Sequence, residues 1–356
     1  MGESGHNGLS EARPSGPATE RGVSVIVCCH NSAPRLPKTL AHLEAQRDTG
    51  GVPWEVIVVD NASTDGTAEV ARESWRRRDG ASLRVVREPH LGLIFARIRG
   101  LAEAAHDVVT FVDDDNWVCH DWVGLVARIM DAQPEVGGCL GFCEAACETS
   151  PPAWFEQHRG SYAIGPDGLE PGDITWTRDH FWGAGLTVRK SAWERLAGSG
   201  FRPQVVGRRG RALSSGEDTE LCLALRMAGW RLWYEARLRL QHFLPAGRLT
   251  PPYLRRLHRA FGAASVGLDP YLLAAATPWR RQVRDAAGRL LLRRRDLLRP
   301  WRHPASVGDD VLLAQRLYGR FRALLASRET YDKSMRRIQD APWRRASREA
   351  EARTER

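Results

Sequence analysis

Four short apolar runs recur along the first third of this chain. Each leads into a polar or acidic turn and then into a segment of helical period. They are Val23-Ser24-Val25-Ile26-Val27-Cys28, Glu55-Val56-Ile57-Val58-Val59-Asp60, Leu83-Arg84-Val85-Val86 and Val108-Val109-Thr110-Phe111-Val112-Asp113. Short runs of β-branched and aromatic residues fit strands that are covered on both faces. Between the first two, Asn31 or Ser32 supplies a cap, Pro34 sits near the first helical turn, and Leu36, Leu40 and Leu43 mark a helix face through about Arg47. A turn from Asn61 to Gly66 precedes a helix with Val70 and Trp75, and Gly92 to Ala105 reads as a third helix. The rhythm β-α-β-α-β-α-β predicts parallel strands joined by right-handed crossovers. Such sheets bind ligands at the carboxyl ends of their strands.

The polar residues gather at those ends: His30 and Asn31, Asp60, then Asp113-Asp114-Asp115. Three adjacent carboxylates repel one another and cannot be buried unpaired. A hard divalent cation, Mn²⁺ or Mg²⁺, that holds a phosphate suits such a strand end, because it takes carboxylate oxygens and leaves positions open for substrate. The bland alternative is a solvated acidic turn. A dinucleotide site would show Gly-x-Gly-x-x-Gly where this chain has Cys28 to Ser32. A P-loop needs a lysine in its own context, and Lys38, Lys190 and Lys333 are elsewhere. What remains is a site that holds base and ribose with side-chain acids and the diphosphate with a metal.

Composition limits the class. The chain has 356 residues, 42% of them hydrophobic, which is the balance of a soluble globular protein. No run of about 18 apolar residues is present, so no membrane-spanning helix is expected. Residues 1–21 have no apolar core and read as a disordered leader rather than a signal peptide. Seven cysteines, with Cys28 and Cys29 adjacent, argue against a disulfide framework and for a reducing cytoplasm. Cys139, Cys143 and Cys147 recur every four residues, but the nearby glycines make a helix doubtful there; buried thiols are favoured over a zinc or cluster site.

The motifs, taken in order, resemble those of family 2 glycosyltransferases of the GT-A fold. Val23 to Asn31 looks like the family's opening strand. Val58-Val59-Asp60-Asn61-Ala62-Ser63-Thr64-Asp65-Gly66-Thr67 matches its second motif almost letter for letter. Gly92, Ala96, Arg97 and Gly100 fit G-x-x-x-A-R-N-x-G, and Phe111 to Asp115 fits the D-x-D strand. Gly183-Ala184-Gly185 and Gly216-Glu217-Asp218-Thr219-Glu220-Leu221 complete the order, over about residues 22–245. The departures are Cys28, Cys29 and His30 where Pro, Thr and Tyr are usual, and Ile98 in place of Asn.

The resemblance implies an α/β fold of GT-A type, a Rossmann-like, mostly parallel sheet flanked by helices, to which the residue pattern beyond about residue 250 adds a helical basic C-terminal extension. It implies a catalytic domain at 22–250, divided into a nucleotide-binding half at 22–117 and an acceptor and catalytic half at 118–250. A helical extension at 251–340 and a disordered tail at 341–356 follow. Cys29, His30, Asn31, Asp60, Arg97, Asp113 and Asp114 are assigned to the nucleotide. Asp60 accepts from the base, against the alternative of a simple turn cap. Strand alternation would put Asp113 and Asp115 on one side and Asp114 on the other. Asp113 is therefore assigned to ribose or metal, and Asp115 and His242 to metal. Trp182, Gly183, Ala184 and Gly185 are assigned to the acceptor and donor sugar, with Trp176, His180 and Phe181 as aromatic surface beside them. Glu217 and Asp218 open a helix, where a carboxylate is stabilised as an anion, and Asp218 is the general base. The implied reaction is inverting transfer of a hexosyl or N-acetylhexosaminyl group from a nucleotide-diphosphate sugar, with UDP expected, to an acceptor hydroxyl, assisted by Mn²⁺ or Mg²⁺. The acceptor is left open among glycan, lipid, peptide and small metabolite.

From Trp279 to Arg356 there are 21 Arg or Lys and 10 Asp or Glu, a net of +11, while the remaining residues sum to −2. The basic character belongs to the C-terminal segment, which weighs against nucleic acid as partner. Between residues 279 and 302, arginine clusters alternate with Val283, Ala287, Leu290 to Leu292, Leu297 and Leu298, with Trp279 and Trp301 near the ends. Such a segment either lies on the anionic inner face of a membrane or packs on the catalytic domain with a solvated arginine face. Two other functions stay open: a sugar-phosphate nucleotidyltransferase, and a non-catalytic nucleotide-fold protein that binds membrane or nucleic acid through the basic tail.

Overall fold

The computed structural model describes residues 20–76, 81–208, 210 and 213–344. The four apolar runs form β1 (Glu20–Cys29), β2 (Trp54–Asn61), β3 (Ala81–Glu88) and β4 (His106–Asp113). The intervening helices are α1 (Leu36–Glu44), α2 (Thr67–Ser74) and α3 (Leu93–Glu103). β1 alternates in the expected way: Val23, Val25 and Val27 face one buried cluster with α1, and Ile26 faces the other with α3. At Gly100 a Cβ would come within 2.5 Å of the Ile26 side chain, so α3 lies directly on β1.

Beyond β4 come β5 (Asn116–Val118), α4 (Trp122–Ala132), β6 (Val136–Cys147), the short helix α5 (Phe155–His158) and β7 (Gly172–Asp173). They are followed by β8 (Thr187–Arg189), α6 (Lys190–Gly198), α7 (Glu217–Met227) and β9 (Arg231–Leu244). One sheet has the order β3-β2-β1-β4-β8-β6-β9-β5, and β7 pairs with β9. It is parallel through β3-β2-β1-β4 and turns mixed at β8, which runs antiparallel to both β4 and β6. Two registers position the site. Cys28 lies opposite Asp113 and Cys29 opposite Asp60, so the strand ends are level. Asn116 lies opposite His242, so β9 returns its histidine to the acidic turn.

Cys139, Cys143 and Cys147 lie on strand β6, where a four-residue spacing keeps them on one face. All seven cysteines are free thiols.

The C-terminal region is helical: α8 (Pro251–Leu272), α9 (Trp279–Leu292), α10 (Arg294–Arg302), α11 (Asp309–Ala326) and α12 (Tyr331–Gln339). α8 and α11 cross antiparallel at two glycines. A Cβ on Gly262 would meet the Arg316 carbonyl oxygen at 1.8 Å, and one on Gly319 the Arg259 oxygen at 2.0 Å. None of the described helices is long and apolar enough to cross a membrane. Two boundaries shift. β1 begins at Glu20, inside the segment read as leader. Trp343, inside the segment read as tail, is buried edge-on to Phe201 and stacked on Tyr271. Residues 1–19 and 345–356 of those two segments lie outside the described residues.

Candidate active site

A cavity of about 670 Å³ opens at the carboxyl ends of β1 and β4. Asp113, Asp114 and Asp115 all line it. Alternation along a strand does not sort them, because β4 ends at Asp113 and the next two residues form the turn into β5. Asp114 therefore does not face away. Its carboxylate accepts from Arg35 Nη2 at 2.5 Å, and burial together with the Asp115 charge pushes it up to about 6 against that arginine.

Asp115 has the opposite environment. Burial alone would raise its carboxyl, but the His242 ring and the Arg248 and Arg208 guanidiniums overcome this and hold it well below the usual range. His242 Nε2 is 3.7 Å from Asp115 Oδ1. One nitrogen, Arg248 Nη1, lies 3.0 Å from Asp115 Oδ2 and 3.2 Å from His242 Nε2. His242 Nδ1 donates to the Tyr162 carbonyl at 2.9 Å, which turns the Nε2 lone pair towards the acids. A carboxylate and an oriented imidazole are donor types that a divalent cation takes, but among the described residues no three His, Cys, Asp or Glu side chains converge as a metal-binding group. Arg248 now supplies the positive charge between them.

The expected nucleotide residues divide. Cys29, His30 and Arg97 line the cavity with Cys28. Asp60 and Asn31 do not: Asp60 Oδ1 accepts the Ser63 amide, and Asn31 Oδ1 accepts the Thr64 amide. Both order the turn after β2. Asn61 takes the lining position instead, and its side chain also ties β2 to residues 88–92 through Glu88, His90 and Gly92.

The other wall is the start of α7. Thr219 Oγ1 donates to the Phe181 carbonyl at 2.8 Å, which fixes residues 181–183 against the helix. The Gly183 amide then donates to Asp218, and a Cβ on Gly183 would come within 2.1 Å of Arg97 Nη2. Burial and the Asp218 charge push Glu217 up to about 7 against Arg97, and burial also raises Asp218 against Arg97 and two backbone amides. Arg97 Nη1 is 3.5 Å from Glu217 Oε1, too long for a good hydrogen bond. Arg97 Nε and Nη1, Glu217 Oε2 and Trp182 Nε1 are buried without a hydrogen-bond partner. Unsatisfied polar atoms on a cavity wall are places for ligand polar groups. Trp182, Gly183, Ala184, His180 and Phe181 line the cavity, whereas Gly185 is packed on Leu240 and Trp122 outside it, and Trp176 is exposed under Arg226.

Arg208, Arg248, Tyr162 and the face of α8 were not singled out from sequence, yet all line the cavity. Their only signal would have been proximity to the acids, which is made by contacts far apart in the chain.

A family model described as glycosyl transferase family 2 matches residues 24–196. This stretch belongs to glycosyl transferase family 2. The family 2 region holds β1 to β4 and the acidic turn; α7 and His242 lie beyond the matched stretch. Glycosyltransferase GlyA of Streptococcus pneumoniae is 32% identical over 126 residues, 35% of this chain and 17% of that protein. Glycosyltransferase AglE of Haloferax volcanii is 31% identical over 101 residues, 28% of this chain and 33% of that protein. The chain thus spans a third or less of these relatives. Among solved structures, mannosyltransferase PcManGT of Pyrobaculum calidifontis, in complex with GDP-Man and Mn²⁺, matches with a TM-score of 0.51 at 22% identity, covering 86% of each chain. That likeness is one of fold, and the GT-A type fold expected from the motifs is the fold of this chain.

Proposed function

We propose that the chain is an inverting glycosyltransferase that moves a hexosyl or N-acetylhexosaminyl group from a nucleoside-diphosphate sugar to an acceptor hydroxyl. The carrying observation is that one cavity collects the three acids of the β4 turn, the Arg97 guanidinium with its unsatisfied Nε and Nη1, and the two carboxylates that open α7. Cys29, His30 and Asn61 border the base and ribose side, and Asp60 shapes the turn beside them. Arg97 and Arg208 face the diphosphate. Asp218 takes the proton from the acceptor hydroxyl as its oxygen bonds to the anomeric carbon. The bond from that carbon to the diphosphate oxygen breaks, and the diphosphate leaves with the electron pair. One displacement with one base inverts the anomeric centre.

Asp113, Asp115 and His242 would hold Mn²⁺ or Mg²⁺ once Arg248 turns aside. Such an ion, when bound, neutralises charge on the leaving diphosphate. The Mn²⁺ carried by PcManGT supports this reading, and its GDP-Man supports a nucleoside-diphosphate sugar without choosing the base. UDP remains the expected nucleotide. We also propose a cytoplasmic enzyme whose α9–α10 surface rests on an anionic membrane.

Calorimetric titration of UDP, GDP and dTDP, each with and without Mn²⁺, tests the donor side. One nucleotide is expected to bind tightly to wild type with Mn²⁺, and more than about tenfold more weakly to Asp115→Ala. If no nucleotide binds the wild-type chain, the transferase reading fails.

A further inference from the structure

The cavity does not end at the acids. Its far wall is α8, from which Leu257, Phe261, Ala264, Leu268 and Leu272 line it. Steps of three and four residues place these side chains on one face of the helix. Gly216, the residue before α7, touches this face: a Cβ there would lie 3.4 Å from Ala264 and 3.6 Å from Leu268. The apolar wall therefore passes the helix end that carries Asp218. It reaches solvent at Leu272, which is 37% exposed. A hydroxyl presented to Asp218 has hydrocarbon beside it.

A cation stands at the rim of the same wall. Arg316 of α11 also lines the cavity, with its guanidinium carbon 5.7 Å from the centre of the Phe261 ring. Its backbone is fixed against Gly262 of α8. Nearby Arg320 is paired with Asp269, but no ion pair joins Arg316 to a carboxylate among the described residues. Its side chain is exposed at this rim, and partial desolvation lowers its pKa. A positive group beside an apolar wall, without a protein anion, is complementary to a ligand that carries an anion next to hydrocarbon.

We propose that the acceptor is an anionic amphiphile: a hydroxyl-bearing group with a nearby phosphate-type anion and a hydrocarbon chain. The anion sits at Arg316, the chain lies along the Leu257 to Leu272 face, and the hydroxyl meets Asp218. This inference rests on the glycosyltransferase reading and names its acceptor class.

The test uses the full chain saturated with whichever nucleoside diphosphate it binds, titrated with decyl phosphate below its micellar concentration and with glycerol phosphate. Decyl phosphate is expected to bind at least about tenfold more tightly than glycerol phosphate, because only it can bury a chain on α8. Arg316→Gln should weaken decyl phosphate by about tenfold. Leu272→Asp, on an exposed position that leaves the core intact, should weaken it several-fold. Nucleotide affinity, measured on each variant, is expected to stay within about twofold of wild type. If decyl phosphate fails to bind, binds no better than glycerol phosphate, or binds both variants as it binds wild type, the amphiphile proposal is overturned. In each of those cases intact nucleotide binding leaves the transferase reading standing. Loss of nucleotide binding by the wild type would remove both.

Discussion

Arg97 opposes burial at Glu217 and Asp218, the two carboxylates that open α7. Burial raises Glu217 to about 7 and lifts Asp218 above the ordinary carboxylate range, and Arg97 opposes both shifts. A general base must be ionised, so activity falls as pH drops through the pKa of the working carboxyl. Removing the arginine charge raises that pKa, and the acid limb must move to higher pH. Arg97→Gln is therefore expected to shift the acid limb of kcat/KM upward by about one pH unit or more, as read from pH–rate profiles of the two enzymes. An unmoved limb would mean that the base lies elsewhere. The acids and Arg97 were legible in the sequence because they sit in short motifs with fixed spacing. Arg208, Arg248 and Arg316 were not, because an arginine in an arginine-rich chain carries no local mark of what it faces. Asp60 and Asn31 were assigned to the nucleotide by motif, while their side chains cap the Ser63 and Thr64 amides.

Between elements, the decisive contacts join α7, α8 and α11. Glu220 of α7 accepts the Gln204 and Val205 amides, each at 2.9 Å, and the Tyr271 hydroxyl of α8 at 2.8 Å. The extension is thereby bonded to the helix that carries Asp218. α8 in turn is held by α11 at its crossing glycines, where backbone lies on backbone. Gly262→Ala would force its Cβ into the Arg316 carbonyl, and the helices must part. The expected cost is about 1–3 kcal/mol in urea unfolding, together with weaker decyl phosphate binding and unchanged nucleotide affinity. Stability equal to wild type would show that the crossing is looser than the contact implies. The first seven elements were legible because β2, β4 and the core of β1, buried on both faces, read as continuous apolar runs punctuated by turns, while β3 is only half-buried and showed as the short run Leu83 to Val86. β8 was not: three residues, Thr187 to Arg189, carry too little pattern. Nor was the pairing of Asn116 with His242, or the role of α8 as a cavity wall, since long-range contacts leave no periodic trace. An even spacing of cysteines suits one face of a strand as well as a helix, which is why residues 139–147 were ambiguous.

Over the whole molecule, four of the most exposed apolar side chains lie on α9 and α10 among arginines. α9 buries only Ala286, and α10 buries nothing. Leu291 is 62% exposed, Leu292 82%, Leu298 58% and Trp301 86%. Arg294, Arg295 and Arg302 accompany them in or beside α10, and Trp279 is tied down by its indole nitrogen on the Leu324 carbonyl. The sequence left two options for this segment, a packed helix or a membrane contact. The structure has α9 and α10 both packed on α11, with Leu290 and Leu297 half-buried and Leu291, Leu292, Leu298 and Trp301 outward. Arg293 and Arg299 pair with Asp296, but among the described residues Arg294, Arg295 and Arg302 have no ion pair, and apolar side chains beside such arginines match the boundary of an anionic bilayer, where each basic residue near the surface contributes about 1 kcal/mol. The chain is expected to co-sediment with vesicles containing phosphatidylglycerol and much less with pure phosphatidylcholine. Leu292→Glu with Trp301→Glu should abolish this without changing nucleotide affinity, and about 0.5 M salt should weaken it, because screening shortens the reach of the arginines. Equal binding to both vesicle types, or binding that survives the double substitution, would remove the membrane from the account. The amphiphile site would then have to receive its ligand from solution, and Leu272, where the apolar wall meets solvent, would be its entrance.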